Sequence, residues 1–488
     1  MAASIPLVAV LPASRKPPPG TPAPRSARFT APPWLIAGGG LLAALIAGAT
    51  LVRDLPFGIA FVAACAFVPL VFLSLPLALA AWIPVAWNES SHVLGKAPLA
   101  GGLLLLVAWI GTRNARPAVV VSEPSVRIAQ VAFALLLVWV TLSISWASDR
   151  PDAWTEAIGL YAAGGVFLLV TTVATTRGRV RLVALAFVVG ALASIVIGLT
   201  GSGLSTTADA IDLATRQRFS GGAGDPNYLA AGLVAAFALT AGLLASTRDQ
   251  LARVGLVLTA LALAATLAAT ESRGGLIAAL VATVAALVLA RGRRAATALF
   301  GIFAIAGVTI FMLLSPAAWE RMTTFDAGGT GRTELWRVAT RMASDHPIAG
   351  VGVRGFQHES KDYVRQPGNL TSVEKIAEQP VVTHNIYLQQ LAETGVVGLA
   401  LLLALCAACA VASQLAAGRF EAAGDRAMAA LARASTVAMI GLLTASAFIS
   451  NSTDKRLWIV LALGPALLVA AGPALRTPGQ PRLDSTDR

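Results

Sequence analysis

What most limits the folds open to this chain is a repeated feature. Apolar stretches of roughly the 18 to 25 residues that a helix needs to cross a bilayer recur along it, parted by short polar or basic breaks. They run at 34–52, 55–87, 97–112, 127–146, 156–174, 179–199, 226–245, 252–270, 273–290 and 295–314, then at 386–412, 429–448 and 457–473. Backbone inside hydrocarbon must satisfy its own N–H and C=O groups, so such stretches become helices. Composition agrees: 56% of the 488 residues are hydrophobic and 13% are charged, with a mean hydropathy of +0.72. Soluble domains carry about 25% charged residues. The expected fold is an all-α polytopic membrane protein of about 12–14 transmembrane helices. One long, partly helical extracytoplasmic loop is expected before the last three spans.

A net charge of +12 would raise nucleic acid as a partner in a soluble chain. Here the basic residues sit in short clusters between apolar blocks, as in cytoplasmic loops. The partner implied is the lipid bilayer, and no nucleic acid is expected. Cys65, Cys406 and Cys409 lie inside apolar spans, where C-x-x-C reads as small packing residues; neither a disulfide nor a zinc framework follows. Residues 1–32, rich in Pro, Ala and basic residues, read as a disordered cytoplasmic tail. An N-terminal transmembrane bundle is expected at 33–314, an extracytoplasmic catalytic loop at 315–385, C-terminal transmembrane helices at 386–474 and a cytoplasmic tail at 475–488.

Loop charges set the orientation. The clusters Arg113–Arg116, Arg177–Arg181, Arg248–Arg253 and Arg291–Arg294 belong on the cytoplasmic side. The basic N-terminal tail joins them there only if 55–87, interrupted by Pro69, Pro76 and Pro84, crosses twice. The same parity puts Trp146–Glu156, 200–226, Thr270–Gly275 and 315–385 on the opposite face. The last three carry arginines: Arg216 and Arg218, Arg273, then Arg321 to Arg365. Lys455 and Arg456 fall on that outer face too, against the rule.

Within the long loop, Leu335, Trp336, Ala339 and Met342 have helical spacing, with Arg332, Arg337 and Arg341 around them, and Pro347 ends the helix. Gly350, Gly352 and Gly355 permit a tight turn, and Thr371 to Glu374 has the form of a capping box before a short helix. A last element opens at Thr383-His384-Asn385 and runs into the next span. His384 therefore stands at a helix amino end, where unpaired N–H groups attract anions and disfavour the imidazolium, leaving a neutral ring able to accept a proton. The same position suits a capping histidine. Asp225 and Asn227 read as caps or donor contacts, Arg332 as an ion-pair former or a phosphate ligand, and Arg273 as a partner of Glu271 or a phosphate ligand. His346 reads as structural, His92 as an exposed loop residue, and His358 receives no role.

The pieces combine. His384-Asn385 is followed by Gly395-x-x-Gly398; upstream stand Arg332-x-x-Leu335-Trp336 and His346-Pro347-x-x-Gly350-x-Gly352. Together with Gly224 to Ala230 and Ser272-Arg273-Gly274-Gly275, they resemble the O-antigen ligase and O-antigen polymerase superfamily of bacterial cell envelopes, over roughly residues 215 to 410. The resemblance implies a membrane glycosyltransferase of polysaccharide and lipopolysaccharide assembly. It would move a glycan from undecaprenyl diphosphate to an acceptor hydroxyl at the outer face of the inner membrane, with neither metal nor cofactor. It implies His384 as general base with Arg273 and Arg332 on the diphosphate, and substrate contacts from Arg216, Arg218, Asp225, Asn227, Trp336, Asn385, Gly395 and Gly398. The alternatives are a polymerase of the same superfamily, which nothing in the sequence separates from a ligase, and a transporter or flippase of lipid-linked sugars.

Overall fold

The computed structural model describes residues 55–89, 96–114, 123–202, 204–207, 216–290, 332–367 and 381–472, with single positions at 94, 301, 309 and 376. Both terminal tails, the run at 34–52, the run at 295–314 apart from 301 and 309, His92, Arg321 and the capping box at 371–374 lie outside the described residues. Met1–Cys65 and Ala66–Arg488 are two compact units, and every contact given below lies within the second.

Fourteen helices occur among the described residues. In chain order they are α1 Leu55–Leu73, α2 Leu75–Trp87, α3 Ala97–Asn114, α4 Pro124–Ser143, α5 Arg150–Val173, α6 Arg177–Ile197, α7 Pro226–Ser246, α8 Gln250–Ala269 and α9 Arg273–Leu289. After them come α10 Arg332–Asp345, α11 Gly355–Val364, α12 Ile386–Ala422, α13 Arg426–Ala445 and α14 Lys455–Ala471. Seven helices, in α4 to α8, α12 and α13, are long and apolar enough to cross a membrane, and four shorter apolar helices accompany them. The all-α polytopic membrane fold holds. The 55–87 run divides at Ser74, whose extended backbone separates α1 from α2. One addition was not expected: β1 Leu204–Thr207 pairs antiparallel with β2 Arg216–Phe219, a hairpin inside the segment read as loop.

The core is organised on α14. A helix apolar all round must be buried all round, and Leu457 through Leu468 are buried without a break. Its Gly464 lets α12 approach closely, since a side chain there would meet the backbone of Cys409. Cys406 and Cys409 are buried and free, which is the packing role expected of them. A second, smaller core sits in the long loop. Leu335, Val338, Ala339 and Met342 of α10 pack with Phe356, Tyr363 and Val364 of α11 and with Val351, Val381 and Ala392. The described part of the loop is thus a folded cap on the start of α12.

Charges divide between the two ends of α12. Near Ala422, Arg419 pairs with Glu123 at 2.8 Å, and Arg177 pairs with Asp425, just beyond the helix, at 3.0 Å. At the other end, near Ile386, the polar segments read as outer loops meet one another.

Candidate active site

His384 stands one residue before the amino cap of α12. Asn385 is the cap, its Oδ1 accepting from Tyr387 N at 3.0 Å and Leu388 N at 3.1 Å. His384 itself has φ +48°, a left-handed conformation unusual without glycine. Its neighbours enforce it. The Thr383 carbonyl accepts from Trp336 Nε1 at 3.1 Å, Thr383 Oγ1 lies 3.1 Å from Ser450 Oγ, and Ile386 N donates to Ser446 O at 3.0 Å. The half-buried ring is therefore presented from a backbone fixed on both sides.

The helix behind it is not continuous. Gly395 has φ 68° and ψ −170°, splitting α12 into a stub, 386–394, and a long span, 396–422. The Gly350–Gly352 turn lies against this break. Val351 N donates to Ala392 O at 3.0 Å, Gly352 N to Glu393 O at 2.8 Å, and Val396 N to Pro347 O at 2.9 Å. Trp139 Nε1 adds a bond to Thr394 O at 2.8 Å. The His-Pro-x-x-Gly-x-Gly stretch and the Gly395 stretch thus hold each other, backbone to backbone. Side chains at Gly350 or Gly395 would prevent that approach. Gly398 packs on Thr394.

The arginine segments join through a second set of contacts. Arg218, buried in β2, directs Nε and Nη2 at the Thr270 carbonyl, at 3.0 and 2.7 Å, and Nη2 also reaches Asn227 Oδ1 at 3.3 Å. Ser272 Oγ donates to that same Asn227 oxygen at 2.8 Å and caps α9, whose first residue is Arg273. Asp225 caps α7 through Asn227 N at 2.7 Å and Tyr228 N at 3.1 Å. Arg216 stands in β2 opposite Thr207. Arg332 is the first residue of α10, one turn before Trp336.

The segment between α13 and α14 ties these pieces together. Phe448 lies against Gly274, next to Arg273, and 6.4 Å from the Trp336 ring. The Ser450 carbonyl accepts from Tyr228 Oη, and Ser450 Oγ meets Thr383. The segments carrying Tyr228, Arg273, Trp336 and His384 therefore converge on residues 446–450, and Arg218 joins them through Thr270 and Asn227.

Residues 258–403 match the family model described as O-antigen ligase. This match supports the O-antigen ligase superfamily as the family the chain resembles. No curated protein matches the chain. The matched stretch begins within α8 and ends within α12, taking in Arg273, Arg332, Trp336, His384, Asn385, Gly395 and Gly398. Outside it stand the β2–α7 segment and residues 446–456, which contact it. The chain is a membrane protein, and its residues 258–403 are similar to the O-antigen ligase family.

The 446–456 segment was missed as part of the site, although it left a signal in Lys455 and Arg456, which broke the loop-charge rule. The structure neutralises both. Lys455 pairs with Glu89, and buried Arg456 grips Asp454, with Nε 2.8 Å from Oδ1, while lying 5.0 Å over the Trp87 ring. A second cluster was also missed. Arg354, at the cap of α11 with φ +66°, binds Asp152 at 3.1 Å and Glu156 at 3.0 Å, and His358 lies 3.0 Å from Asp152. It pins the loop to the start of α5. Beside it, burial raises the Glu359 carboxyl above its ordinary value, with Ser148 and His346 opposing the shift. Burial likewise raises the Tyr363 hydroxyl. Among the described residues, no group of three or more His, Cys, Asp or Glu side chains is placed to hold a metal ion.

Proposed function

We propose that the chain transfers a glycan from undecaprenyl diphosphate to an acceptor hydroxyl at the outer face of the bacterial inner membrane, with residues 315–385 as the extracytoplasmic catalytic loop. His384 takes the proton of the acceptor hydroxyl as that oxygen attacks the anomeric carbon. The bond from the anomeric carbon to the phosphate oxygen breaks, and undecaprenyl diphosphate leaves with the electron pair. Arg273 and Arg332 stabilise the growing charge, since a planar guanidinium stays ionised and binds phosphate oxygens in pairs. Arg216 belongs to the same binding set. Arg218 serves the set by holding the turn that carries Arg273, because Thr270 and Asn227 occupy Nε and Nη2. The scheme calls on no metal and no nucleotide.

The observation that carries this reading is the convergence of the Arg273, Trp336 and His384 segments on residues 448–450. A proton acceptor and two guanidinium-bearing helix starts come from three parts of the chain and share one anchor. The test uses purified full chain in nanodiscs with a synthetic polyprenyl-diphosphate glycan, offered a lipid acceptor or a second donor molecule. Transfer to the lipid marks a ligase, and lengthening of the glycan marks a polymerase. His384→Ala should lose about 10²–10⁴-fold in rate. Undiminished transfer by that variant removes the mechanism. Movement of the donor across the bilayer without any transfer would favour a transporter.

A further inference from the structure

A cavity of about 20 Å³ lies between the start of α5, the stub of α12 and Ser452. That is room for one occupant the size of a water molecule. Its polar lining is Glu156, Gln389, Gln390, Glu393, Thr394 and Ser452. Most of the hydrogens on these groups are already committed. Gln390 Nε2 donates to Thr394 Oγ1 at 2.8 Å, Thr394 Oγ1 to Gln390 O at 2.7 Å, and Ser452 Oγ to Glu156 Oε1 at 3.0 Å. The Gln389 amide nitrogen faces the Glu393 carboxylate, at 3.4 Å from Oε2. Left over are acceptors: carboxylate oxygens of Glu156 and Glu393, a lone pair of Ser452, and Gln389 Oε1. Gln389 is 8% exposed, and its Oε1 is buried with no donor.

A cavity lined by acceptors suits a positive occupant. Water brings two hydrogens and no charge. The cavity lies within a network of charged side chains. Asp152, Glu156 and Glu393 face Arg354, with His358 on Asp152. A small hard cation takes oxygen ligands of this kind. We propose that the cavity binds one sodium ion through Glu156, Glu393, Gln389 Oε1 and Ser452 Oγ. The ion would tie α5, the histidine-bearing stub and the segment before α14 into one rigid unit. Its role is to order the site, and it does not depend on which glycan is moved.

The test is thermal unfolding of the full chain in nanodiscs at pH 7.5, with choline chloride replaced stepwise by sodium chloride at fixed ionic strength. The expected result is a saturable rise in Tm on the order of 2–4 °C, absent in Glu393→Gln. Should that variant fail to fold, Gln389→Leu removes the same ligand set's neutral oxygen and should flatten the response. The proposal is overturned if sodium and choline act alike, if only calcium or magnesium stabilises, or if both variants keep the wild-type sodium response. Lowering the pH without sodium is the remaining arm. If that alone yields the full stabilisation and sodium adds nothing, the occupant is a proton on Glu393 and the sodium site is refuted.

Discussion

Replacing Gly395 by alanine should separate the two motifs that hold His384 in place. At φ 68° and ψ −170° the backbone lies in a region only glycine enters freely, and a side chain there costs about 1–3 kcal/mol. The new Cβ would also fall within 2.6 Å of the Ile348 carbonyl group and Ala349 N. These are backbone atoms, so no rotamer relieves the contact, and the stub must move away from the Pro347–Gly352 turn. Three hydrogen bonds cross that junction, from Val351, Gly352 and Val396, each worth about 0.5–1.5 kcal/mol. Strain and lost bonds together come to about 2.5–7.5 kcal/mol. At 1.4 kcal/mol per factor of ten, this corresponds to about 10²–10⁵-fold faster local opening. Hydrogen exchange read on peptides spanning 347–352 and 392–397 measures it directly, and glycan transfer should fall with it. Gly418→Ala is the control: it lies on the same helix with nothing within 4 Å, and should be neutral or gain about 0.5–1 kcal/mol. Wild-type protection at 347–352 in Gly395→Ala, or an equal loss in Gly418→Ala, would refute the clamp.

His384→Gln should keep the fold and lose transfer about as far as the alanine variant; equal unfolding temperatures with unequal rates would show the defect to be chemical. Arg218→Lys keeps the charge but not the fork on Thr270 O and Asn227, and should cost about 1–3 kcal/mol, seen as faster exchange at 270–275. Arg354→Ala should free the loop from α5 and raise protease cleavage within 354–367; an unchanged digestion pattern would show that the Asp152–Glu156 clamp is idle. The Glu123 carboxyl is held below its ordinary value by its hydrogen bond to Arg419. A depressed carboxylate stabilises the fold above its unfolded value, and that contribution is lost as pH falls through the folded one. Wild type should therefore unfold later than Glu123→Gln at pH 7, and the gap should close on acidification below about 4.5. A gap that widens in acid has the wrong sign.

The α10 stripe, the cap at Thr383–Asn385 and the polar turns flanking the spans were all legible in the sequence, because each depends on residues close together in the chain. Helical spacing, capping chemistry and the length needed to cross hydrocarbon are local properties. So is the reading of Cys406 and Cys409 as packing residues, which required only that they lie in apolar helix. What the sequence left open was decided by contacts between distant segments. The GxG turn reads as a loop glycine pattern, and only the approach of Pro347–Gly352 to Gly395 shows that it fastens the His384 stub. Arg218 reads as one more outer-loop cation, yet its guanidinium is committed to Thr270 and Asn227. Lys455 and Arg456 look misplaced until Glu89 and Asp454 are seen beside them. The charge rule counts basic residues along a loop, whereas here Glu89, from beyond the end of α2, pairs with Lys455, and Asp454, the cap of the same helix, pairs with buried Arg456. The Ser446–Ser452 anchor has no local signature at all, since its meaning lies in joining Tyr228, Gly274, Trp336 and Thr383, which only the folded bundle brings within reach.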